Sequence, residues 1–246
     1  MTINSINNQI PNNDFLVQKT GSGTTVTSTI QQTSNTASAT AKEAISVAGG
    51  TASDAFTNYV VTGVTSWSKG IDNSDSDAYV ISATGTPGTT NVCRIGVTGE
   101  VRRILQPAFY VESAALADDV TGNGTTYTPA NLSVEFVDQN NDFDGVSTFT
   151  APVTGIYLLR CDYYIFRATS SHTSNIESII TSNRTYTYQA NLYNQGETLG
   201  NSEETHSCVI LADMDASDTA YLTIKVSNGT KVIDIISLRF AGYLVC

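Results

Sequence analysis

The chain has 246 residues, enough for one large or two modest domains with an adequate core. Only 14% of it is charged, against about 25% in an average globular protein, and Ser, Thr, Asn and Gly fill the difference. The 40% hydrophobic content excludes wholesale disorder, while five Pro and 18 Gly exclude a collagen pattern.

A net charge of −11 and a pI near 4.4 exclude a phosphate backbone or an anionic membrane surface as partner unless basic residues are concentrated somewhere. Arg94, Arg102 and Arg103 are the nearest approach to a cluster. No run comes near the roughly 18 apolar residues of a membrane span. The opening "MTINSINNQIPNNDF" lacks the basic start and apolar stretch of a secretory leader. No nucleic acid, no membrane insertion and release by lysis or another non-secretory route are the expectations.

In chain order, residues 1–35 form a polar segment rich in Thr, Ser, Asn and Gln, expected to be extended or supported by a partner. Within "ASATAKEAISV", Ala37 to Val47, the Ala, Lys and Glu residues favour helix. The small-polar alternation before Gly49-Gly50 favours a strand, which is the reading adopted. From there "TNYVVTGVTSWS", "DAYVISA", "NVCRIGV" and "EVRRIL" are short β-branched or aromatic runs divided by Gly, Asn, Asp or Pro, the pattern of a chain that turns back repeatedly into sheets. A second unit begins at "LQPAFYVES". The division is therefore 1–35, 36–105 and 106–246, and the fold class is all-β.

Downstream, "TYTPANLSVEFVD", "STFTAPVTGIYLLRCDYYIFRA", "TYTYQANLYNQG", "THSCVILADM" and "TAYLTIKVSNGTKVIDIISLRFAGYLVC" continue the strand pattern. Asn228-Gly229 between two alternating runs predicts a tight hairpin, with Leu222, Ile224 and Val226 on one face of its first arm. The Tyr-rich stretches "CDYYIF" and "RTYTYQANLYNQ" are expected at a subunit interface or in solvent.

Three acidic groupings invite a chemical reading. Asp72, Asp75 and Asp77 lack the Gly and terminal Glu of a calcium loop, so Asx turns closing onto their own backbone are expected, with Trp67 and Ile71 packed beneath. In "NNDFDG", Asn140, Asp142 and Asp144 are placed as in the start of a calcium loop, but position twelve is Ala151. These three residues are the weak calcium candidates. Asp118-Asp119 reads as solvated loop charge.

The four cysteines, Cys93, Cys161, Cys208 and Cys246, show no close pair, so no zinc site is expected. Buried free thiols are the reading, with a disulfide as the alternative. His172 and His206 have Ser and acidic neighbours at the frequency this serine-rich composition gives. No GxSxG, HExxH or phosphate-cradling loop is present. Paired-carboxylate chemistry leaves no local signature. No catalytic or cofactor-binding residue is assigned, and the chain is read as a non-enzyme. Sequons at Asn123, Asn131, Asn183 and Asn228 carry no weight without a secretory route.

From Phe109 onward the landmarks "AFYVES", "FVDQNNDFDGVSTFTAPVTGIYLLRCDYYIF", "DTAYLTIKVSN" and "SLRFAGYLVC" resemble the C1q/TNF-like domain, above all in Phe149, Pro152, Gly155-x-Tyr157 and Phe240-x-Gly242-Tyr243-Leu244. That resemblance implies a jelly roll assembling as a homotrimer. "GIDNSDSDAYVIS", within Gly49 to Ile104, is similar to a repeat of phage tail-fibre and viral receptor-binding proteins, which implies a β-structured, trimeric body in which the aspartates shape a corner.

Together they imply a virion protein, tail fibre or spike, assembled in a host cytoplasm. It would bind a host surface receptor, a glycan or a protein, and hold other virion or tail proteins through its N-terminal segment. A cellular C1q-like lectin or adhesin is the alternative, and a fibre-borne glycan depolymerase a further one. Receptor contacts are expected in loops at Ala117 to Tyr127, Ala168 to Asn183 and Tyr193 to Glu204.

Overall fold

The computed structural model describes residues 29–31, 33, 37, 39–88, 90–192 and 202–246, and every regular element among them is a β-strand. None of the described residues forms a helix long and apolar enough to cross a membrane. The N-terminal segment 1–35 lies almost wholly outside the described residues.

The first sheet runs up and down in chain order: β1 (Ala55–Val61), β2 (Thr65–Asp72), β3 (Ala78–Ser82), β4 (Asn91–Ile95) and β5 (Val101–Arg102), all neighbours antiparallel. The run "TNYVVTGVTSWS" is divided by a turn in which Gly63 has φ 76° and Val64 N–H donates to the Val61 carbonyl at 2.9 Å. The strand expected over Ala37 to Val47 is absent from its described residues, 37 and 39–47. Its Ala, Ser and Thr side chains offer no apolar face to bury, and residues 40–47 are exposed.

The rest of the chain forms two sheets. One has the order β13 (Ser202–Met214), β10 (Gly155–Ala168), β15 (Ile233–Leu244), β6 (Ala108–Glu112), β8 (Val134–Gln139), with β7 (Ala117–Thr121) against the start of β15. The other has the order β12 (Thr185–Asn191), β11 (Ser174–Thr181), β14 (Thr219–Ser227), β9 (Phe149–Thr150). Strict alternation explains the packing: Ala220, Leu222, Ile224 and Val226 of β14 point inward, as do Tyr157, Leu159, Cys161, Tyr163 and Ile165 of β10.

In β15 the inward phase shifts by one residue, from Ile233 and Ile235 to Leu238 and Phe240. A bulge at Ser237, φ 48°, absorbs the extra residue. The two sheets close on an aromatic centre. Phe109 stacks on Phe149 at 4.5 Å and meets Phe240 edge-on at 4.9 Å, while Phe149 lies 5.5 Å from Tyr157. Each such ring contributes roughly 1.5–3 kcal/mol by leaving water. Gly242 keeps the centre closed, since a β-carbon there would meet Leu159 Cδ2 at 2.6 Å and Phe109 Cε1 at 2.8 Å.

Asn228-Gly229 does not make a hairpin. β14 and β15 belong to different sheets, and the connection crosses the sandwich. Only Asn228 has positive φ, 76°; Gly229 is required instead by close approach, because a β-carbon there would lie 2.3 Å from His172 Nε2. Two inward faces needing opposite sheets overrule the local turn preference. Two expected loops also contain strands. Ala117–Thr121 is β7, and half of Ala168 to Asn183 is the largely buried strand β11. In the third expected loop, residues 193–201 lie outside the described residues.

Candidate functional site

The first acidic grouping is a corner, as its turn residues predict. Asp72, 1% exposed, accepts hydrogen bonds on Oδ1 from Ser74 N, Ser74 Oγ and Asp75 N at 3.1, 2.7 and 3.2 Å, and on Oδ2 from Asn91 Nδ2 at 3.3 Å. Burial alone pushes its carboxyl pKa up, but these bonds outweigh it and leave the pKa lowered. Asp75 pairs with Arg94 at 2.7 Å, and Arg94 also holds Glu100 at 2.8 Å. Ser76 and Asp77 close the turn with φ of 54° and 57°. Trp67 and Ile71, however, do not pack beneath this corner: they lie on the opposite, outward face of the sheet and are 42% and 37% exposed. Alternation puts Ser68, Gly70 and Asp72 on the corner side instead.

The calcium candidates are brought into one turn. Asp144 Oδ1 accepts the N–H groups of Val146, Ser147 and Thr148 at 2.8, 2.7 and 2.9 Å, so that oxygen is committed to its own backbone. Asp138 Oδ1 accepts Asp142 N–H at 3.0 Å, and Asn140 supplies a positive φ of 76°. Burial, then the neighbouring Asp138, pushes the Asp142 carboxyl pKa up, and its Oδ2 is buried without a partner. Among the described residues no group of three His, Cys, Asp or Glu is arranged to hold a metal ion.

Cys161 and Cys208, whose strands led to the expectation of burial, are buried free thiols on directly opposed positions of β10 and β13; Cys93 is partly exposed and Cys246 exposed. Burial pushes the Cys208 thiol up to about 11.

Beside those two thiols lies a polar cluster that sequence reasoning missed. Glu177 and Asn175 of β11 point into the sandwich, where their strand partners Ile224 and Val226 are core residues. Asn175 Nδ2 donates to the Tyr163 hydroxyl at 2.7 Å and lies 3.2 Å from His206 Nδ1. His206 stacks on Tyr163 at 5.4 Å, and its Nε2 is 3.4 Å from Glu204 Oε2. Tyr163 is thus in the chain's own interior, neither at an interface nor in solvent. Glu177 is 1% exposed and both its oxygens lack a hydrogen-bond donor of ordinary geometry. Burial raises the carboxyl pKa of Glu177 and Glu204 and lowers that of His206. Only the inward register of polar residues in "SNIESIIT" signalled this.

Strand register separates the two ends of the sandwich. The chain comes in at Ala108, beside Gln139 and Tyr243, and Gln106 Nε2 donates to the Leu244 carbonyl at 2.6 Å. The opposite end is closed by loops 122–126, 169–173 and 228–232. His172, 1% exposed, joins them: Nδ1 accepts Thr169 N–H at 3.0 Å and Nε2 meets the Thr230 carbonyl at 2.9 Å. Gly229 N–H donates to the Gly122 carbonyl at 3.0 Å, and Asn228 Nδ2 to Thr173 Oγ1 at 2.7 Å. Leu192 N–H, on the near side of 193–201, donates to the Thr173 carbonyl at 3.2 Å at this same end. Of the loop Ala168 to Asn183, residues 169–173 are in this crown, while Ser182 and Asn183 turn at the other end, where Ser182 N–H donates to the Thr219 carbonyl.

The outer face of the six-stranded sheet is apolar over part of its width. Val209 and Leu211 are 55% and 61% exposed, Tyr243 lies alongside, and Phe136 stacks on Tyr110 at 5.0 Å. The pairs Arg160–Asp162 and Arg239–Glu112 interrupt it.

No protein-family model matches the chain, and no curated protein matches it. Among solved structures the globular domain of zebrafish complement 1qA protein is similar, with a TM-score of 0.40 and 16% identity over 57% of this chain and 98% of that one.

Proposed function

We propose that this chain is a homotrimeric tail-fibre or spike protein of a phage or virus, whose C-terminal C1q/TNF-like sandwich contacts a host surface receptor, a glycan or a surface protein. One observation carries the reading: the chain comes into the sandwich at one end, and three mutually bonded loops crown the other. Recognition loops on a rigid scaffold, remote from the anchorage, are what attachment requires. The residues on which the resemblance rested support the C1q/TNF-like identity, since Phe149, Tyr157 and Phe240 form the aromatic centre and Gly242 keeps it closed. The chain crosses between the two sheets at β8–β9, β9–β10, β10–β11, β12–β13, β13–β14 and β14–β15, which supports a jelly roll.

In this reading the apolar outer face of the six-stranded sheet meets other copies, residues 1–35 hold virion or tail proteins, and the product is binding, not bond-making. The test is adsorption competition: purified protein added to host cells should block attachment of the intact particle in a saturable way. Undiminished adsorption at saturating protein contradicts the reading. Binding of the protein to cells that no particle adsorbs to would favour a cellular adhesin instead.

A further inference from the structure

The two faces of the first sheet differ. One carries Asp72, Arg94 and Arg102 with Ser68, Ser82 and Asn91, and among them the fully buried Ala78 and Val80. The other face, read from directly paired residues, carries Tyr59 beside Trp67, Ile71 beside Tyr79, and Ile81 and Ile95 on the strands beyond. All six are at least 37% exposed. No Asp or Glu of the five strands stands on it. Its single charge, Lys69, lies 5.4 Å from the centre of the Tyr59 ring, with Glu43 nearby acting on it.

A contiguous exposed apolar face marks a surface that another one covers. What covers it follows from charge and area. The chain carries −11, so copies repel wherever carboxylates meet; the five strands place none on this face, and the bordering Glu43 acts on Lys69. The exposed side chains of this face amount to on the order of 500 Å², so three copies meeting there remove roughly 1,500 Å² in all, the size of one standard interface shared among three contacts. Tyr and Trp with few charges is also the composition of an interface centre.

We propose that the outward face of the first sheet, centred on Trp67, Tyr79 and Ile81, is where copies of this chain meet. The contact rests on the homotrimeric reading, and adds to it an interface in residues 55–102 separate from the sandwich. Three copies converge there on a common axis, which closes the edges and the apolar face together.

Trp67 is the only tryptophan, so its emission reports this face alone. The assembled protein should emit at short wavelength and resist acrylamide, with the quenching constant severalfold below that of free indole. Ile81→Lys should stay folded, by circular dichroism, with red-shifted and freely quenched emission, whether or not the sandwich still holds the copies together. Val64→Lys, in the exposed turn beyond the face, should remain assembled. A wild-type trimer whose Trp67 is quenched as freely as indole overturns this interface and leaves the trimer reading standing. Ile81→Lys protein whose Trp67 stays as shielded as in wild type does the same. A wild-type monomer with exposed Trp67 at high concentration overturns both. Should Ile81→Lys fail to fold, wild-type quenching decides alone.

Discussion

The His172 ring occupies the space that a side chain at Gly229 would need: a β-carbon there would lie 2.3 Å from Nε2 and 2.4 Å from Cδ2. The ring cannot swing away without breaking its bonds to Thr169 and the Thr230 carbonyl. Gly229→Ala is therefore expected to destabilise the sandwich by about 1–3 kcal/mol, the usual result of overpacking a closed site. Urea unfolding checks it; a loss below about 0.5 kcal/mol would show that the crown yields without resistance.

The buried carboxyls set a pH dependence. Burial raises the pKa of Glu177 and Glu204 in the folded state, so their contribution to stability is fully present below the unfolded carboxyl pKa of about 4.3 and is lost as pH rises through the folded values. His206 works in the opposite sense: its lowered pKa contributes stability above about 6.5, which is lost as pH falls through the folded value. E177Q removes one raised carboxyl. Its stability relative to wild type should therefore improve steadily as pH goes from 4 to 7, in denaturant titrations at each pH. A difference that is flat with pH would mean that Glu177 is not held out of water.

If the crown is the recognition surface, its exposed side chains and not those of the opposite end govern adsorption. Lys231→Glu and Ser171→Trp, both in crown loops, should weaken competition for host cells about tenfold or more, equivalent to about 1.4 kcal/mol. Val153→Lys, exposed near the other end, should compete like wild type. Equal effects at both ends would remove the crown from the account.

What was legible in the sequence follows physical lines. The strands with apolar inward positions, such as those bearing Tyr157 to Ile165 and Ala220 to Val226, are visible because burial and alternation agree. The corner at Asp72 is visible because its chemistry is local. β11 was hidden because Asn175 and Glu177 occupy inward positions, and β7 because Asp118 and Asp119 lie within it. The turn at Asn228-Gly229 misled because the destination of a strand is decided by which sheet completes the core, a non-local matter. The outward side of Trp67 escaped for a related reason: alternation says which residues share a face, and not whether that face meets its own chain or another.

The mass of the assembled protein tests the account most directly. Light scattering behind size exclusion, at micromolar protein, should give three times the 26.2 kDa of one chain, unchanged on moderate dilution. A mass of one chain that persists as concentration rises would contradict it.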